Sequence, residues 1–259
     1  MSRIQEAFQK ATGKKAFIGF VTAGDPSLEQ SRDFVLEMVR AGMDIVEIGI
    51  PFSDPIAEGP VIQAANIRAL NVGTSTARIF GLVEALRQQI QVPVVLLTYL
   101  NPVFQYGYER FFTRCQAVGV DGIIIPDLPF EEREEVRIVA DPLGVDLISL
   151  IAPTSASRIQ QIATDARGFL YVVSSLGVTG IRGKIETDLA SLINAIRQVS
   201  SLPTAVGFGI NTPEQAAAIG KVADGVIVGS AMVKIIEDHG VHAGRYLYEY
   251  VRQMKEALC

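Results

Sequence analysis

A chain of 259 residues, 49% hydrophobic and 20% charged, suits one large α/β core or two small ones. A net charge of −5, with Lys and Arg scattered rather than blocked, argues against a nucleic-acid-binding surface. No apolar stretch reaches membrane length, MSRIQEAFQK lacks a signal-peptide core, and two cysteines without metal spacing fit a reducing, cytoplasmic setting.

From the amino end, Arg3 to Ala11 reads as a helix. Short apolar runs then recur along the whole chain: AFIGFVTAG, DIVEIGIP, VPVVLLTY, GIIIPD, VDLISLIAP, FLYVVSS, LPTAVGFG and GVIVGS. Each is rich in Val, Ile, Leu or Phe and bounded by Gly, Pro or Asp, as parallel strands buried on both faces require. Amphipathic stretches of helical length, such as SLEQSRDFVLEMVRAG and YERFFTRCQAVG, separate them. The joints AGMDIVEI, VGVDGIII and LGVDLISL each end a helix on Gly and open a strand after Asp. Eight βα units in this length are the size of a closed (β/α)8 TIM barrel, with the first helix plugging its floor. A doubly wound sheet would normally carry an early dinucleotide loop, and FVTAGDP is none. No Ser-, Pro- or Gly-rich linker divides the chain, so residues 1–259 read as a single domain.

In such a barrel the chemistry sits at the carboxyl ends of the strands. The second run places Glu47 between Val46 and Ile48, so its side chain points into the barrel mouth. There burial would raise its pKa toward neutrality, unless a basic residue from another strand pairs with it. The following turn carries Asp54 and Glu58. Asp54 precedes Pro55 and can simply shape the turn, and Glu58 reads equally well as a solvated loop acid. Tyr99, Asn101, Asp127 and Tyr171 fall at later strand ends. SLGVTGIRGK follows the sixth strand and reads as a mobile lid, with Thr179 and Gly180 facing a ligand when closed. Gly207 and Gly209 end the seventh run. Gly229 and Ser230 end the eighth, where Ser230 can cap the next helix. Together these two glycine endings form a phosphate site of the kind such barrels reuse. His239 and His242 read as surface helix residues, and no His or Cys cluster suggests a metal. Acid–base chemistry therefore falls to carboxylates or tyrosines.

VEIGIPFSDPIAEGP, FVTAGDP, SSLGVTG, VGFGI and VGSAMVKIIE together resemble the tryptophan synthase alpha chain family, in its order and spacing and over nearly the whole chain. The resemblance implies a cytoplasmic lyase of the last step of tryptophan biosynthesis, cleaving indole-3-glycerol phosphate to indole and glyceraldehyde 3-phosphate. It gives Glu47 the acid–base role and Glu58 the stabilisation of the ring N–H, although the family's commoner residue at the latter position is Asp. Phe20, Ile62, Tyr99, Ile124 and Tyr171 would wall the indole pocket, with Asp127 nearby. Gly180, Phe208, Gly209, Gly229 and Ser230 would hold the phosphate. Thr179 would engage the second carboxylate when the lid closes. The resemblance also implies a beta chain carrying pyridoxal phosphate, an alpha2-beta2 heterotetramer, no cofactor in this chain, and a partner-facing surface at Asp54, Pro55, Asn101 and Pro102. Alternatives that stay open are a stand-alone lyase without a beta partner, another phosphate-binding barrel enzyme, and a silent subunit that only activates its partner.

Overall fold

Every apolar run forms parallel strand in the computed structural model, which describes residues 1–11, 15–153, 158–174, 182–207 and 209–259. The strands are β1 (Ala16–Thr22), β2 (Ile45–Gly49), β3 (Val94–Leu97), β4 (Gly122–Ile124), β5 (Asp146–Leu147), β6 (Ser149–Ile151), β7 (Leu170–Val173), β8 (Thr204–Gly207) and β9 (Gly225–Val228). They pair in the order β5-β4-β3-β2-β1-β9-β8-β7-β6. The two ends of that order are halves of one run, VDLISLIAP, separated only by Ile148. The first half pairs with β4 and the second with β7, so the strand changes neighbour at Ile148. The sheet thereby closes into the expected (β/α)8 barrel, with its fifth strand split rather than continuous.

The helices are α1 (Arg3–Lys10), α2 (Leu28–Arg40), α3 (Pro60–Asn71), α4 (Thr76–Arg87), α5 (Leu100–Tyr106), α6 (Tyr108–Val118), α7 (Arg133–Ala140), α8 (Ile159–Thr164), α9 (Arg182–Val199), α10 (Pro213–Gly220), α11 (Ser230–His239) and α12 (Gly244–Ala257). Pairs of helices, rather than single ones, follow β2, β3 and β9. At the repeated joints Gly42, Gly119 and Gly144 take φ of 105°, 80° and 71°, a left-handed turn that a Cβ would strain. The Asp of the joint has its own function. At two of the joints Asp44 and Asp121 accept the backbone N–H groups of Phe17 (2.7 Å) and Val94 (2.8 Å) on the neighbouring strand, and Asp224, just before β9, accepts that of Thr204 (2.9 Å) in the same way. These bonds fix strand register at the floor of the barrel.

Alternation along the strands sorts the core into two layers. Val46 and Ile48 face outward with Val21, Val94 and Leu96 against the helices. Ile18, Ile45, Val95, Ile124, Phe169, Tyr171 and Ile227 fill the barrel interior. The first helix closes this interior from below. Ser2 and Gln5 cap α1 reciprocally, Arg3 reaches Asp121 at 2.8 Å, and Ile4 is fully buried in the inner cluster. Gly122 and Gly225 leave room for the helix, since a Cβ would come within 3.3 Å of Ile4 at the first and 3.1 Å of Phe8 at the second. Ile4→Ala is expected to lower stability by roughly 2–4 kcal/mol through an unfilled cavity. Urea midpoints of the two proteins measure it, and an unchanged midpoint would mean that α1 adds nothing to the core.

Candidate active site

Glu47 lies on the inward face of β2, in register with Phe20 of β1 and Val95 of β3. It is only 2% exposed, its Oε2 has no hydrogen-bond partner, and no Lys or Arg pairs with it among the described residues. A carboxylate so placed resists ionisation. Burial first, and then the charge of Glu58, push its pKa up to about 8. At neutral pH it is therefore mostly a neutral acid, ready to give a proton and later to take one.

Glu58 is not a solvated loop acid. It is half-buried just before α3, where Asn66 Nδ2 donates to its Oε2 at 2.6 Å and Gln63 Nε2 to its carbonyl at 2.8 Å. Burial raises its pKa and the Asn66 bond opposes that rise. Asn66 is itself buried, between Ala65 and Ala69 on the inner side of α3. Sequence reasoning missed it, although an Asn on the apolar face of AANIRAL was the available signal.

Tyr99 is buried, and its hydroxyl accepts the Ala57 N–H at 3.0 Å, tying the loop before α3 to the start of α5. Burial is the main reason its phenol is pushed up to about 12. Asp127 Oδ1 accepts the Leu100 N–H at 2.8 Å, so this carboxylate also holds the amino end of α5. Tyr171 is buried on the inward face of β7, its pKa raised by burial and then by the charge of Glu47. Its hydroxyl occupies the space that a Cβ on Gly207 would need, at 2.3 Å. Phe20 packs with Ala65 and Ile62, and both Phe20 and Ile62 flank Gly229. Ile124 is sealed inside the barrel.

Gly209, two residues beyond the end of β8, is exposed with φ of 75°, and Thr212 caps α10. Gly229, not Ser230, is the cap of α11; Ser230 is the first helical residue and makes no capping bond. The expected Ser230 cap is thus corrected, because the backbone of Gly229 already takes that position. Thr179, Gly180 and Phe208 lie outside the described residues. On the rim, Asp54 and Asn101 are exposed and Pro55 and Pro102 half-buried, beside two apolar side chains, Ile56 (79% exposed) and Phe104 (62%). His242 is exposed, while the His239 ring stacks on Tyr246 at 3.6 Å. No group of three or more His, Cys, Asp or Glu residues is arranged to hold a metal ion among the described residues. Two roomy grooves, about 910 Å³ between α2, α11 and α12 and about 840 Å³ beside α1, touch neither carboxylate. The site is therefore assigned on its acid–base chemistry and not on concavity.

A closed (β/α)8 barrel with a neutral, buried Glu and a second carboxylate at its mouth defines a barrel enzyme of acid–base type. Comparison with known proteins narrows the class. A family model described as "Tryptophan synthase alpha chain" matches residues 7–258. The tryptophan synthase alpha chain of Lactiplantibacillus plantarum is 54% identical over 245 residues, covering 94% of this chain and 92% of that one. Among solved structures, the alpha subunit from Legionella pneumophila superposes with a TM-score of 0.91 at 38% identity, covering 100% of this chain and 98% of that one. A chain of the tryptophan synthase a2b2 complex from Pyrococcus furiosus gives 0.86 at 36% identity, covering 93% and 98%. This chain belongs to the tryptophan synthase alpha chain family.

Proposed function

We propose that the chain is the alpha subunit of a tryptophan synthase, a lyase that cleaves indole-3-glycerol phosphate to indole and glyceraldehyde 3-phosphate. The observation that carries this reading is Glu47, neutral at physiological pH and facing a second carboxylate in a member of this family. Direct cleavage of the carbon–carbon bond would expel an unstable indolyl carbanion. Neutral Glu47 avoids this by protonating the ring carbon, which turns the ring into an electron sink with positive charge on its nitrogen. Glu58 stabilises that charge at the N–H. Glu47, now ionised, takes the proton of the side-chain hydroxyl, the carbonyl of glyceraldehyde 3-phosphate forms, and the bonding pair restores the indole. One residue thus gives and regains a proton.

Phe20, Ile62, Tyr99, Ile124 and Tyr171 wall the indole, with Asp127 nearby. Gly180, Phe208, Gly209, Gly229 and Ser230 receive the phosphate, where the first turn of α11 offers backbone N–H groups without helical partners. Thr179 of the lid engages Glu58 on closure. The whole of residues 1–259 acts as one domain. The chain uses no cofactor of its own; pyridoxal phosphate belongs to a beta chain, docked on the rim of Asp54, Pro55, Asn101 and Pro102 in an alpha2-beta2 assembly in the cytoplasm. The exposed Ile56 and Phe104 on that rim suit a partner surface. Among the described residues no helix is long and apolar enough to cross a membrane. Indole release from indole-3-glycerol phosphate, measured with and without a beta chain, tests the reading. Release that a beta chain accelerates supports it, equal release in both assays favours a stand-alone lyase, and no release in either overturns it.

A further inference from the structure

Helix α3 carries Asn66, which grips the Glu58 carboxylate, and its polar hold on the rest of the barrel rests on one side chain. Its amino end has no side-chain cap. Its apolar contact is a small cluster in which Val61, Ile62 and Ala65 meet Phe20 and Val233. Among the described residues, Arg68 is the one α3 side chain that hydrogen-bonds to another element of the barrel. Its guanidinium forks onto Asp25 in the loop after β1, with Nε to Oδ1 at 2.9 Å and Nη2 to Oδ2 at 2.8 Å. A third arm, Nη1, reaches Glu237 of α11 at 3.2 Å. Asp25 is only 2% exposed and has no other cation beside it among the described residues. A planar fork onto a buried carboxylate fixes direction as well as distance, which a lysine in its place cannot do.

Resting on the assignment of Glu58 to the ring N–H, we propose that Arg68 is a positioning residue for this reaction. Its fork onto Asp25 sets the place of α3, and Asn66, two residues earlier on that helix, passes that placement to Glu58. The longer side chain of Glu58 makes this control necessary, since its extra methylene adds a rotatable bond that Asn66 must hold. The outer arm to Glu237 is solvent-exposed and adds little.

The test is indole release with saturating beta chain by Arg68→Lys, Glu58→Gln, the double variant and Glu237→Gln. Arg68→Lys is expected to lower kcat about ten- to a hundredfold with KM nearly unchanged, the size of effect that a small misplacement of a reacting group produces. In the Glu58→Gln background the same substitution is expected to have no further effect, because the two act in series. Glu237→Gln is expected to match wild type. If Arg68→Lys does not fold, the apolar pair Asp25→Leu with Arg68→Met leaves no buried charge unpaired and is expected to show the same dependence on Glu58. Equal fold-losses of kcat in the two backgrounds, or an unchanged kcat in Arg68→Lys, overturn the proposal and leave the role of Glu58 standing. Full kcat in Glu58→Gln overturns both.

Discussion

Glu47→Gln is expected to stop indole release, by at least about a hundredfold in kcat, and at the same time to make the protein more stable at neutral and alkaline pH. The two effects share one cause. In the unfolded chain this carboxyl ionises near 4.5, whereas burial pushes it up to about 8 in the folded barrel. Between those values the folded state holds a proton that the unfolded state has released. Stability contributed by this site is therefore complete below about 4.5 and is lost progressively as pH rises toward about 8. Gln cannot ionise and escapes that loss. The gain at pH 8 is expected to be on the order of 4 kcal/mol, or several degrees in Tm for a chain of this length. Melting curves of both proteins at pH 5 and pH 8 measure it: the gap between them should widen with pH. Parallel curves would mean that Glu47 ionises normally in the fold. Turnover close to wild type would remove it from the mechanism. Binding of indole propanol phosphate, measured by calorimetry, should survive the substitution, since the amide keeps the shape of the acid.

Local chemistry explains what was legible before the fold was known. The strands announced themselves because a strand buried on both faces has no polar side to blur the pattern, and the Gly-then-Asp joints because a left-handed turn admits few residues. Glu47 stood out for the same reason, as an acid in the middle of an apolar run. The split at Ile148 left no such trace, because it depends on which strands lie on either side and not on the residues of VDLISLIAP. The doubled helices after β2, β3 and β9 were also hidden, as amphipathic periodicity does not count turns between helices. Asn66 gains its meaning only when the loop before α3 folds Glu58 back onto it, and Asp25 only when Arg68, from a different element, reaches it. Tyr171 and Gly207 come within contact through the pairing of β7 with β8, a relation that no local pattern contains. Ser230 was read as a cap from residue type alone, while the backbone of Gly229 holds that position.

At Gly229 binding and stability are expected to part company. The residue caps α11 with φ of −121°, ψ of −72° and no side-chain capping bond, so the positive φ that strains Gly209 is absent here. A Cβ there would meet Phe20 at 3.5 Å and Ile62 at 3.7 Å, which are ordinary contacts. Gly229→Asp therefore brings no close contact and no positive-φ strain, but with ψ away from the extended range of Ser2, Ser27 and Thr212 it gains no capping bond, and Tm should fall only slightly. The added carboxylate puts a negative charge beside the first-turn N–H groups that the phosphate requires. Affinity for glycerol phosphate should fall at least about a hundredfold, or roughly 2.7 kcal/mol. Gly209→Asp is the poorer experiment, because φ of 75° strains any side chain there and mixes folding with binding. Calorimetry of Gly229→Asp with glycerol phosphate, beside a melting curve, separates the two effects. Wild-type affinity in a variant that melts normally would place the phosphate away from α11, and a large fall in Tm would mean that the cap of this helix is not free to take a side chain.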